Sequence, residues 1–146
     1  MRCTPTTDLE LITRLNDACF KDRTPLVGDE LTQSVWWVLR DGTTPVAFGG
    51  IRDLKDGRGY LSRAGVLPEH KGHGLQRRLI NVRVAWARRR GLKRVYTHVW
   101  AGNLGSMRSL IRCGFMPYHL ERSEGAGCSR QKFSWLYLDK RLTPRG

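Results

Sequence analysis

A single α/β domain, built on a mixed sheet with helices on both faces, is the fold class this sequence predicts. Three observations predict it. Two apolar runs, "SVWWVLR" and "PVAFGGIR", flank "DGTT", the signature of a β-hairpin. A strand-like stretch, "GYLSRAGVL", runs through a glycine turn into an amphipathic helix. A shorter helical segment then separates "KRVYTHVW" from two closing strand-like runs. Early hairpins followed by crossover helices imply parallel as well as antiparallel pairing.

The elements follow in order. "TDLELITRLNDACF" spaces Leu11, Leu15 and Ala18 as one helical face, with Thr7 or Asp8 as cap. "DRTPLVGDELTQ" reads as loop or a short second helix. The hairpin follows, then a third strand from Gly59 to Leu67. Gly65 inside that strand predicts a bulge or a close approach of ligand to backbone. A helix from about Leu75 to Arg90 places Leu75, Leu79, Val82 and Trp86 on one side, widened by Ile80, Val84 and Ala87. Arg77, Arg78, Arg88 and Arg89 fall opposite, a face read as solvated. Gly91 stops it. "KRVYTHVW" is β-branched and aromatic, a strand. "NLGSMRSLIRC" is a helix ended by Gly114, and "FMPYHLE" and "RQKFSWLYL" close the sheet.

At 146 residues the chain fits one domain, 1–146, with a core of its own. Hydrophobic residues make 40% and charged residues 27%, which excludes a disordered chain. The start, "MRCTPTTDLELITRL", has no long apolar stretch behind Arg2, so no signal peptide is expected. No apolar run approaches the ~18 residues of a membrane span. The expected setting is the cytoplasm, away from membranes. Cys3, Cys19, Cys113 and Cys128 lie far apart with no C-x-x-C pair, and read as reduced structural thiols; no metal site is expected. The net charge of +13 attracts polyanions, nucleic acid or a phosphate-rich cofactor among them. An arginine-rich host composition would give the same number.

"PEHKGHGLQRRL" (Pro68 to Leu79) carries the chemistry. It lacks the G-x-x-x-x-G-K-[ST] of a P-loop. The dinucleotide pattern G-x-G-x-x-G begins at Gly72 and Gly74 but fails at Arg77. What remains is strand, glycine turn and helix, with N–H groups that have no intrahelical partner at the positive end of a helix dipole. Such a turn binds phosphate.

In these residues the chain resembles the GNAT acyltransferases, which use acetyl-CoA. Their signature [RQ]-x-x-G-x-[GA] reads here "KGHGLQ", Lys71 to Gln76, after "AGVLPEH". Their downstream Asn, small residue, Tyr and Gly-Phe read here as Asn103, Ser106, Leu110, Gly114 and Phe115. The element order agrees, so the likeness covers nearly the whole chain. It implies the GNAT-like fold, a central, mostly antiparallel sheet. It implies acetyl-CoA as cosubstrate, held by Ala64, Gly65, Val66, Lys71, Gly72, His73, Gly74, Leu75, Gln76, Asn103 and Ser106. It implies transfer of the acetyl group to an amine by direct attack. Lys71 replaces the usual Arg or Gln, and Gln76 the final Gly or Ala. Leu110 stands where many members place the tyrosine that protonates the departing thiolate.

His98 is the candidate catalytic base. It lies five residues before Asn103, where some protein-acetylating members carry a glutamate, and an ordinary imidazole at ~6.5 suits proton uptake near neutrality. A hydrogen-bonded strand histidine without a catalytic role is the competing reading. Glu69, Glu121 and Glu124 are weaker bases acting through water. Tyr118 and Tyr137 are candidate replacement acids, more simply read as packing, like Trp36, Trp37 and Trp135. Ser109 could orient a water. His70 and His73 line the phosphate site or solvent. Arg63 either points into the acceptor site or lies at the surface.

The leading function is an acetyl-CoA-dependent N-acetyltransferase whose amine the sequence does not name; a homodimer is compatible with it. One alternative gives the basic surface a role, with an acceptor such as aminoacyl-tRNA or a ribosomal protein. The other is a non-catalytic module binding CoA or nucleic acid, for which Leu110 argues. Nothing matches helix-turn-helix, zinc-finger or aromatic RNA-binding patterns.

Overall fold

The computed structural model describes residues 1–21, 25–100, 102–123 and 133–142. Glu124 and Cys128 lie outside the described residues, as do the side chains of Glu121 and Trp135. In chain order the elements are β1 (Arg2–Thr6), α1 (Leu9–Cys19), α2 (Gly28–Gln33), β2 (Val35–Asp41), β3 (Thr44–Asp53) and β4 (Arg58–Val66). A 3-10 turn, Pro68–His70, leads on to α3 (Leu75–Arg89), β5 (Arg94–Trp100), α4 (Leu104–Arg112), β6 (Met116–Ser123) and β7 (Phe133–Arg141). The strands form one sheet in the order β1-β2-β3-β4-β5-β7-β6. Every neighbouring pair is antiparallel except β4 and β5.

The strand β1 was not anticipated. Pro5 is the fourth of its five residues, and β1 sits at the edge of the sheet, where proline is tolerated. The segment after it is the expected helix, but its buried face is Ile12, Leu15 and Asn16; of the expected face only Leu15 is buried, with Leu11 half-buried and Ala18 exposed. Asp8 caps α1, accepting from the Leu11 N–H at 3.0 Å.

Helices cover both faces, and β2 shows why its sequence is continuously apolar. Trp36 and Val38 turn toward α1, packing with Ile12, Leu15, Leu26 and Phe48. Trp37 and Leu39 turn the other way, into the core beneath α3. The Trp36 indole N–H donates to the Leu31 carbonyl at 2.9 Å, so its polar end is satisfied inside the fold. The helix α3 buries Leu75, Leu79, Ile80, Val84 and Ala87, while Val82 and Trp86 pack at the margin. Arg83 also lies in the buried stripe, 2% exposed. A wheel that sorts arginines to solvent does not foresee that.

Two irregularities shape the middle of the sheet. Between the pairs Gly49–Ala64 and Ile51–Leu61, one residue of β3 faces two of β4, a bulge at Ser62 and Arg63. Next to it, β4 pairs with β5 only from Arg58 to Tyr60, against Arg94 to Tyr96. Beyond Tyr60 these two strands part. Among the described residues no helix is long and apolar enough to cross a membrane.

Candidate active site

The parting of β4 from β5 opens a cleft of about 600 Å³. Its floor is β4 from Tyr60 to Val66, and α3 and α4 present their first turns to it. At one end lies the glycine turn. Gly72 and Gly74 have φ of 85° and 75°, the left-handed region that side chains avoid. Gly74 precedes α3 with no side chain capping the helix, so the first N–H groups of α3 are left for another acceptor. Asn103, by contrast, caps α4: its Oδ1 accepts from the Ser106 N–H at 3.2 Å, which leaves its amide nitrogen to donate into the cleft.

Ala64, Gly65, Val66, Lys71, Gly72, Gly74, Leu75, Gln76, Asn103 and Ser106 all border this one space, as do His70 and Ser109. His73 is exposed and is not among the lining residues. Gly65 borders the cleft and also has a packing reason of its own. A Cβ there would come within 2.9 Å of the Phe20 and Phe48 rings, so the glycine makes room for α1 against the sheet. The irregularity expected at Gly65 sits instead at Ser62 and Arg63.

His98 borders the cleft on β5. Its Nδ1 lies 3.3 Å from the Tyr60 hydroxyl, and the two rings stack with centroids 5.5 Å apart. Tyr60 was missed by sequence reasoning. Burial pushes its phenol well above the usual range, and the Glu30 charge adds to that, so it stays a neutral hydroxyl. A tyrosine two positions before a strand bulge carries no recognisable pattern; only the parallel pairing of β4 with β5 brings it to His98. Tyr137 packs against His98 from β7 at 5.6 Å, and Tyr118 packs on Tyr137. Neither borders the cleft, nor does Glu69. Leu110 is 4% exposed and packs in the core beneath α3.

Arg63 is not at the surface. Its guanidinium donates to Asn16 Oδ1 at 3.1 Å and lies 3.7 Å from Glu30, and both Arg63 and Glu30 border the end of the cleft that holds His98. Glu30 on the short α2 is the second residue the sequence reading passed over. Cys19 also borders the cleft; burial raises its thiol to about 11, so it stays protonated and unreactive.

Known proteins share this fold. Over 68 residues the chain is 36% identical to the uncharacterized N-acetyltransferase YobR of Bacillus subtilis, a match covering 47% of this chain and 28% of that relative. The IAA acetyltransferase of Bacillus cereus superposes with a TM-score of 0.82 at 11% identity, over 97% of this chain and 99% of the other. The ribosomal-protein-S18-alanine N-acetyltransferase of Escherichia coli gives 0.81 at 16% identity, over 99% and 97%. The yncA protein of Salmonella typhimurium, solved with its cofactor acetyl-CoA, gives 0.79 at 19% identity, over 99% and 95%. Residues 7–115 match the acetyltransferase (GNAT) family, and the chain belongs to that family.

Proposed function

We propose that this protein is an N-acetyltransferase that moves an acetyl group from acetyl-CoA to an amine. The observation that carries the reading is one continuous cleft, with an uncapped helix start and glycine turn at one end and His98 at the other. Backbone N–H groups from Gly72 to Gln76, with Lys71 beside them, suit a pyrophosphate, and His73 stands exposed at the same turn. The unpaired edge of β4 from Ala64 to Val66 suits the amide-bearing arm of CoA, facing Asn103 and Ser106 across the cleft.

In the reaction the amine nitrogen attacks the thioester carbonyl carbon. A C–N bond forms, the C–S bond breaks, and its electron pair leaves on sulfur. The proton lost by nitrogen passes to His98, and solvent supplies one to sulfur. Tyr60 suits this role of His98: with the Nδ1 N–H donating to the hydroxyl oxygen, Nε2 keeps its lone pair for the amine. Leu110 supplies no acid, but a thiol of ~8.5 is a fair leaving group without one. Glu30 and Arg63 border the acceptor end and would meet the amine's substituents. The charge of +13 favours an acceptor associated with nucleic acid, such as a ribosomal protein or aminoacyl-tRNA.

The test is incubation with acetyl-CoA and a panel of amines, reading thiol release and acetylated product together. Paired release and product on one amine class is the expected result. CoA binding with no product from any amine would favour a binding module instead.

A further inference from the structure

Arg83 is the one residue of α3 whose burial the hydrophobic pattern does not explain. Its Nε donates to the Leu79 carbonyl at 3.0 Å, and its Nη1 donates to the carbonyls of Gly50 at 3.0 Å and Ser62 at 3.3 Å. Those last two belong to the bulge, where β3 and β4 have lost their regular ladder. Gly49 keeps the space clear, since a Cβ there would stand 3.2 Å from the guanidinium carbon. The buried cation therefore fills the bulge and holds it open.

Among the described residues no carboxylate lies within ion-pair distance of Arg83. The titratable groups that act on it are Cys113 beyond α4 and Cys3 on β1, both thiols raised by burial and therefore neutral. Burial lowers the guanidinium to about 10, so it remains charged at neutral pH. An unpaired buried charge is strongly disfavoured unless something else answers it. Arg83 also borders the cleft, as Ile80 and Leu110 do.

We propose that Arg83 is a positioning residue for the thioester, holding the β4 bulge against it and offering an uncompensated positive charge to the departing sulfur. It answers the loss of the family tyrosine at Leu110 by electrostatics rather than by proton donation. The inference rests on CoA occupying this cleft, not on which amine accepts the acetyl group.

The experiment titrates the thiol of CoA bound to the protein, by measuring CoA affinity by calorimetry across the pH range around the free thiol's value of about 8.5. A nearby cation lowers a thiol's pKa, so the thiolate binds tighter and affinity rises with pH between the bound and the free value. Relative to Arg83→Met, the wild type should show the bound thiol lower by about 1 unit, a roughly tenfold preference for the thiolate. Arg83→Lys, which keeps the charge but not the fork across two carbonyls, should keep most of that shift. Arg77, His98 and Glu30 are common to all three proteins, so their fields cancel in the comparison. Equal thiol titration in wild type and Arg83→Met overturns the proposal. Should Arg83→Met not fold, a wild-type thiol titrating at or above free CoA overturns it alone. Failure of every amine to be acetylated would leave the thiol shift standing, whereas failure of CoA to bind would remove the site itself.

Discussion

If His98 is the base proposed for the acceptor end, removing it and removing the Tyr60 hydroxyl beside it should have distinct effects. His98→Ala should lower kcat/KM by about 10²-fold or more, the usual worth of a general base, with CoA affinity little changed. Because the base acts unprotonated, wild-type kcat/KM should climb with pH along a limb that the alanine variant lacks. Tyr60→Phe keeps the stacked ring but removes the hydroxyl beside Nδ1. It should displace that limb and reduce kcat while KM stays, as steady-state kinetics with an identified amine will show. Coincident profiles for all three proteins would mark His98 as structural. At this scale the sequence was half legible. That His98 borders the cleft was within reach because its spacing from Asn103 lies within one strand and the start of one helix. Tyr60, Glu30 and Arg83 could not, because each reaches the cleft through a pairing or packing between elements distant along the chain.

Glycine positions show how elements, rather than residues, decide the outcome of a substitution. Gly74→Pro demands φ near −65° where the turn has 75°, and it removes an N–H. CoA affinity should collapse in calorimetry while circular dichroism shows the fold retained. Gly65→Ala drives a methyl into the Phe20 and Phe48 rings, so it should cost about 1–3 kcal/mol of stability in denaturant unfolding. The far end of α3 offers a pH test. Arg90 and the Lys55 N–H hold the Asp53 carboxyl below the usual carboxylate range. A depressed folded value means that the stabilisation is full above the unfolded value near ~3.9 and fades as pH falls through the folded one. Asp53→Asn should therefore lower thermal stability slightly at neutral pH, and the two proteins should converge as pH falls, which softens the acid limb. Strands and helices were legible wherever the pattern was periodic, as in α3 and the β2–β3 hairpin. The strand β1 was not, because what makes Pro5 acceptable is an edge position that only the assembled sheet defines.

Charge is a property of the whole molecule, and its meaning needs a whole-molecule measurement. If the +13 serves a nucleic-acid-bound acceptor, affinity for tRNA should fall steeply with salt as counterions are released, and should exceed that for heparin at equal salt. Equal weak binding to both would leave a generic basic surface. The sheet itself has a weak line. The halves β1–β4 and β5–β7 meet along three residue pairs, Arg58–Arg94, Gly59–Val95 and Tyr60–Tyr96. A molecule lodged beyond Tyr60 would touch both halves and act as a rivet across the join. Cohesion then becomes a matter of occupancy: at CoA a hundredfold above its dissociation constant, binding adds about 2.7 kcal/mol to stability. Amide hydrogen exchange should slow most in β4 and β5 on CoA addition and least in β1, so that the empty protein breathes along the line where its substrate enters.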